Sequence, residues 1–211
     1  MKRILCFGDS NTWGNISATP DRFPADVRWT GVLQRELGDD YLVIEEGYNG
    51  RTSVFTDVVE GRLSGIDYFG PCLDSQSPLD LVIIMLGTND LKLRFGVEAQ
   101  TIAYGFGRYL DKLKITPMAG GMPKVLLAAP ILLDESYKQN ELFHGMFGED
   151  GVERSRALAP AYKAFAEAAG IEFIDAAQYA RAAVADGVHM GPEDHERLGK
   201  AFAGRVKQIL G

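Results

Sequence analysis

The chain of 211 residues carries 22 Lys+Arg against 29 Asp+Glu, a net charge of −7, with 46% hydrophobic and 24% charged residues. That balance excludes intrinsic disorder and gives enough apolar material for a core without covalent staples. The net negative charge, with no cluster of Lys or Arg, argues against nucleic acid or an anionic membrane surface as partner.

The first residues, Met1-Lys2-Arg3, have the basic character of a signal n-region, but the apolar run Ile4 to Phe7 stops at Gly8-Asp9. A secretory h-region needs about 7–15 apolar residues and a membrane span about 20, and neither occurs. Cys6 and Cys72 stand in unlike contexts, with no CxxC pair or disulfide framework. The expectation is a cytoplasmic protein with reduced thiols.

In chain order, Ile4 to Phe7 reads as a strand buried on both faces. Trp29, Val32, Leu33 and Leu37 form one stripe of a helix that stops before Gly38. Tyr41 to Ile44 is a second strand, and Leu81 to Leu86 is the strongest apolar run and the expected central strand. Ile102, Phe106, Tyr109, Leu110 and Leu113 mark another helix, followed by a strand over Val125 to Ala129 that Pro130 closes. The stretch 131–150, containing Tyr137, Phe143, Met146 and Phe147, is too long for an idle loop and is expected to be functional or packed. Leu158, Ala161, Tyr162 and Phe165 predict a helix, and Ile171 to Ile174 a last strand. Pro192-Glu193 opens the final helix, where proline costs no hydrogen bond, and Leu198, Phe202, Val206 and Ile209 continue it. Continuous apolar strands alternating with helices predict an α/β sandwich on a mostly parallel sheet, with residues 1–211 as a single domain.

Parallel sheets bind ligands beyond the carboxyl ends of their strands. The residues there are Gly8-Asp9-Ser10-Asn11-Thr12, then Glu46 to Thr52 with Asn49-Gly50, then Gly87-Thr88-Asn89-Asp90, and late in the chain Asp186-Gly187-Val188-His189. Taken singly, each reads as turn or capping chemistry, because Asn, Asp and Gly are the ordinary turn residues. Taken together they supply a hydroxyl, small backbone donors, a carboxamide and an Asp–His pair, which is a set for acyl transfer.

Two rivals are weaker. Asp186, His189, Glu193, Asp194 and His195 crowd together, but without HExxH or a nearby cysteine they make a poor metal site. A flavin-type phosphate loop after the first strand is disfavoured by the charge of Asp9 and by the absence of a P-loop lysine or GxGxxG. No metal and no cofactor are expected.

With these four blocks in order, the sequence resembles the SGNH (GDSL-type) hydrolase family, in the branch of bacterial arylesterases, acyltransferases, perhydrolases and carbohydrate acetylesterases. The likeness extends over Arg22 to Leu37, Val43 to Thr52 and Leu79 to Asp90. It implies a three-layer α/β/α sandwich with a flavodoxin-like five-stranded parallel sheet of order 2-1-3-4-5. It also implies Ser10 as nucleophile, His189 as base and Asp186 as its orienting partner, with an oxyanion hole from the N–H groups of Ser10 and Gly50 and the side chain of Asn89. Asn11 stands where the GDSL pattern has Leu, and is expected to affect pocket shape. Trp13 is expected to wall the pocket, and His195 to be a solvent-facing residue of the final helix.

The implied activity is hydrolysis of short acetyl or aryl esters through an acyl-enzyme, with alcohol or peroxide as possible acceptors in place of water. The implied partners are a small-molecule ester, such as an aryl ester or acetylated carbohydrate, and further copies of the chain in a homo-oligomer. The alternative from another class is a non-catalytic carbohydrate-binding or interaction protein on the same fold.

Overall fold

The computed structural model describes residues 1–211. Five strands, β1 (Lys2–Gly8), β2 (Tyr41–Gly47), β3 (Leu81–Met85), β4 (Lys124–Ala129) and β5 (Glu172–Asp175), form one sheet in the order β2-β1-β3-β4-β5, parallel throughout. All five residues of β3 are buried, as a strand covered on both faces requires. Successive side chains point to opposite faces, so Leu5 and Phe7 enter one core while Ile4 and Cys6 enter the other.

Eight helices cover the sheet: α1 (Ser10–Trp13), α2 (Trp29–Leu37), α3 (Gly65–Gln76), α4 (Ala99–Ile115), α5 (Glu141–Phe147), α6 (Gly151–Arg156), α7 (Leu158–Ala169) and α8 (Pro192–Leu210). Helices α3, α4 and α7 bury Phe69, Phe106, Tyr109 and Tyr162 with Phe7, Val82 and Leu127 on one face. Helices α2 and α8 bury Trp29, Leu33, Phe202 and Val206 with Ile4, Ile83 and Leu126 on the other. The Trp29 and Phe202 rings, 4.6 Å between centroids, join these two helices. The result is the three-layer sandwich with the expected strand order.

The predicted strands and helices all form, with end shifts: β2 runs on to Gly47 and β5 spans Glu172–Asp175. Helix α3 has no counterpart among the predicted elements. Gly65, Gly70 and Pro71 obscure it in the sequence, but Ile66, Phe69, Cys72 and Leu73 give it an apolar stripe and a capping box between Ser64 and Asp67 starts it. The stretch 131–150 is ordered as a 3-10 turn (Glu135–Gln139) followed by α5, capped by the side chains of Asp134 and Asn140. Its Tyr137 and Phe147 are buried in the core, so these aromatics face inward.

Register delivers the site. Gly8 pairs with Gly47 of β2 and with Met85 of β3, so three strand ends lie level where the strand order reverses. Gly47 is required there, since a Cβ on it would sit 2.1 Å from the backbone nitrogen of Trp13 in α1.

Candidate active site

Asp9 follows β1 as the N-cap of α1, and its side chain accepts the Asn11 N–H at 3.0 Å. The cap fixes the first turn of α1 and with it Ser10, which is 8% exposed. Burial pushes the Asp9 carboxyl up to about 6, against the lowering pull of the Asn11 N–H bond and of the His189 and Arg51 charges.

From the far end of the chain, the Asp186–His189 turn meets this helix. His189 Nε2 lies 3.0 Å from Ser10 Oγ, and His189 Nδ1 lies 2.7 Å from Asp186 Oδ2. Asp186 is 1% exposed, and its Oδ1 accepts the N–H groups of Val188 and His189, both at 2.9 Å. Burial alone would raise this carboxyl. The hydrogen bond to His189, the imidazole's charge and the two N–H donors outweigh it and hold the group well below the usual carboxylate range. An ionised Asp186 accepts from Nδ1–H, which leaves the Nε2 lone pair for the serine proton.

Gly187 makes the turn possible: its φ is +68°, and a Cβ there would lie 2.3 Å from the nitrogen of Tyr137. A second anchor comes from Ala18, whose N–H donates to Asp186 Oδ2 at 3.1 Å. Ala18 is the one non-glycine residue at positive φ, +60°, a conformation costing roughly 1–2 kcal/mol.

Facing Ser10 are groups that donate without accepting. The backbone N–H groups of Ser10 and Gly50 have no acceptor within the protein. Asn89 opens the 3-10 turn after β3, and its Nδ2 donates to the Arg51 carbonyl at 3.1 Å. The neighbouring Asp90 turns away: its carboxylate accepts from the Ser53 N–H and from Ser53 Oγ at 2.5 Å. Burial pushes Asp90 up to about 6, partly offset by the Ser53 bonds.

Ser10, Gly50, Asn89 and His189 open into one cleft of about 170 Å³. Phe143, Met146, Phe147 and Val188 form an apolar wall, with the Phe143 ring edge-on to His189 at 6.0 Å between centroids. The rest of the lining is polar: Asn15, Asn49, Glu60, Arg62, Thr88 and Lys92. Lys92, 3% exposed, pairs with Glu60 Oε1 at 2.6 Å and with Asp57 Oδ2 at 3.5 Å, and Arg94 pairs with the same two acids.

Several expectations need correction. Trp13 does not line the cleft: its carbonyl accepts from Arg22 Nε at 2.6 Å and its ring stacks under that guanidinium at 5.1 Å. Asn11, 3% exposed, also lies outside the cleft lining, because its carboxamide is engaged by Val188 and Met190. His195 is fully buried, not solvent-facing: Nδ1 accepts the Trp29 N–H at 3.2 Å, because its side of α8 packs on α2.

Of the cleft lining, Asn15, Glu60, Arg62 and Lys92 are the residues that sequence reasoning missed. Phe143, Met146 and Phe147 come from the stretch 131–150 expected to be functional or packed, where Asn140 caps α5. Glu60, Arg62 and Lys92 carry no local pattern, since they come from two separate loops.

Comparison with known proteins identifies the family and the fold. A model of the GDSL-like lipase/acylhydrolase family matches residues 6–197. The solved structure of the native aryl esterase of M. smegmatis is 39% identical, with a TM-score of 0.94 and full coverage of both chains. Est24, a carbohydrate acetylesterase from Sinorhizobium meliloti, is also 39% identical over the whole of both chains, with a TM-score of 0.93. Among curated proteins the sequence finds no match. Strand order, signature blocks and matched length agree, and the chain belongs to the GDSL-like lipase/acylhydrolase family, the SGNH hydrolases.

Proposed function

We propose that the protein is a serine esterase for short acyl esters, acetyl or aryl, working through an acyl-enzyme on Ser10. The observation that carries this reading is the hydrogen-bonded series Ser10–His189–Asp186, at 3.0 and 2.7 Å, opening beside unpaired N–H donors. His189 Nε2 takes the Ser10 proton as Oγ attacks the ester carbonyl, and Asp186 steadies the resulting imidazolium. The carbonyl oxygen becomes an oxyanion, met by the N–H groups of Ser10 and Gly50 and the second amide hydrogen of Asn89. Collapse expels the alcohol, which takes the proton from His189, and leaves the acyl group on Ser10. Water, or another alcohol or a peroxide, then repeats the sequence in reverse and frees the serine.

The apolar wall beside His189 supports an aryl or alkyl leaving group, since that is where the departing oxygen meets its proton. It equally supports an alcohol acceptor at the second step. The M. smegmatis aryl esterase and the S. meliloti carbohydrate acetylesterase favour aryl acetates and acetylated sugars as the substrates to try first. No helix is long and apolar enough to cross a membrane. The two unpaired thiols suit a reducing compartment, and cytoplasmic action is the reading that goes with them. Exposed Val58, Val59 and Leu63 offer an apolar surface for assembly as a homo-oligomer.

The test is a panel of aryl acetates and acetylated sugars with and without Ser10→Ala, together with fluorophosphonate labelling mapped by mass spectrometry. Turnover lost in Ser10→Ala and label confined to Ser10 are the expected results. Label on another serine, or wild-type turnover in the variant, overturns the assignment.

A further inference from the structure

Ser10 and His189 are 179 residues apart in the chain, yet their reacting atoms must be held at hydrogen-bond distance. Between residues 9–13 and the loop 186–190, only two hydrogen bonds exist besides the Ser10–His189 contact itself. Both belong to Asn11. Its Nδ2 donates to the Val188 carbonyl at 3.1 Å, and its Oδ1 accepts the Met190 N–H at 3.0 Å. These are the backbone groups on either side of His189. One planar carboxamide, with donor and acceptor rigidly spaced, therefore grips the main chain that carries the imidazole.

The other end of this link is equally fixed. Asn11 follows Ser10 directly on α1, and its own N–H is held by the Asp9 cap at 3.0 Å. The loop is also anchored away from α1, by Asp134 N–H to the Gly187 carbonyl and Ala183 N–H to the His189 carbonyl. Losing the Asn11 bonds would leave the loop folded but free to shift relative to Ser10.

We infer that Asn11 is a positioning residue that sets the register of the His189 loop against the nucleophile, rather than a pocket residue. The inference rests on the proposed roles of Ser10 and His189. It explains why a carboxamide serves at a position where the GDSL pattern has Leu, a side chain that can make neither bond.

The test uses the full chain carrying Asn11→Ala, Asn11→Leu or Asn11→Asp, with kcat and KM on an aryl acetate, the fluorophosphonate labelling rate at Ser10, and Tm. A displacement of about 1 Å costs about 10²-fold in a positioned reaction, so kcat of the Ala and Leu variants should fall about 10–100-fold. KM should stay within about threefold, because the cleft walls are untouched, and the labelling rate should fall in step with kcat. Wild-type kcat and labelling per folded molecule in Asn11→Leu, whatever its Tm, would overturn the inference. Should those two variants not fold, Asn11→Asp carries the test, since it matches asparagine in size and keeps the Met190 bond while setting an oxygen against the Val188 carbonyl. A fall in its kcat at constant KM supports the inference, and an unchanged kcat overturns it. If wild-type protein takes no label at Ser10, the proposed function has failed, which is a separate outcome from equal labelling of wild type and variants.

Discussion

The carbonyl of Arg51 accepts one hydrogen of the Asn89 carboxamide at 3.1 Å, which fixes the side chain and leaves the other amide hydrogen free. The donor is thus oriented before any substrate arrives, as electrostatic stabilisation of an oxyanion requires. Asn89→Ala is expected to lower kcat by roughly 10²–10³ with KM nearly unchanged. The Ser10 and Gly50 donors remain, so activity is weakened and not erased. Stability should fall only by the loss of one hydrogen bond, about 1 kcal/mol, which is a small drop in Tm. Steady-state kinetics and melting on one preparation check this, and a large drop in Tm with normal kcat would make Asn89 a turn residue only.

His195 should make the fold acid-labile. Burial pushes its imidazole down to about 4 from an ordinary 6.5, with the charges of Arg28 and His189 adding to the effect and Asp194 opposing it. The unfolded chain therefore binds a proton that the folded chain refuses between those values. The stability from this group is complete above about 6.5 and is lost as pH falls through about 4. His195→Asn keeps an acceptor for the Trp29 N–H but does not titrate. The stability of wild type relative to this variant should decline by about 3 kcal/mol between pH 7 and pH 4 in urea titrations. A pH-independent difference would refute it.

Short acyl groups should react best. Glu60, Arg62 and Lys92 line the same small cleft as Phe143, and a long alkyl chain along them would strip water from charged groups without replacing it. Among p-nitrophenyl esters, kcat/KM should be highest from acetyl to butanoyl and fall thereafter. An optimum at octanoyl or longer would contradict the polar-wall argument.

The thiols should be inert in the native protein. Cys6 and Cys72 are both fully buried. Burial, with Glu46 adding, pushes Cys72 up to about 12, and burial with Glu45 raises Cys6 well above the ordinary thiol range. The thiolate is the reactive form, so Ellman's reagent should titrate neither thiol until denaturant is added. Iodoacetamide should likewise leave esterase activity intact. Rapid native labelling of either cysteine would count against the burial.

What was legible in the sequence followed from short-range physics. Buried parallel strands are continuous apolar runs, and Leu81 to Met85 announced itself as one. The blocks holding Ser10, Gly50, Asn89 and His189 each directly follow or flank regular elements, so motif and fold pointed to the same place. What was hidden depends on packing between distant segments. Nothing near His195 in the chain reveals that α2 will cover it, and nothing near Asn11 reveals that Val188 and Met190 will take both ends of its carboxamide. The same holds for Trp13, whose ring packs under Arg22 and lies outside the cleft lining. Helix α3 is masked in the sequence by Gly70 and Pro71 in its middle, although Ser64 and Asp67 form a capping box that marks its start.

On the proposed roles, the 179-residue separation of Ser10 and His189 also sets when the protein can first act. At about 5–20 residues per second, a ribosome needs about 10–35 s to travel from the codon for the hydroxyl to the codon for the imidazole. Throughout that interval the nascent chain carries a serine with no base, and its neighbours meet no esterase. A product terminated before residue 186 is silent for the same reason. On the proposed roles, catalysis therefore waits until translation has passed residue 189 and the loop that carries it can dock on Ser10.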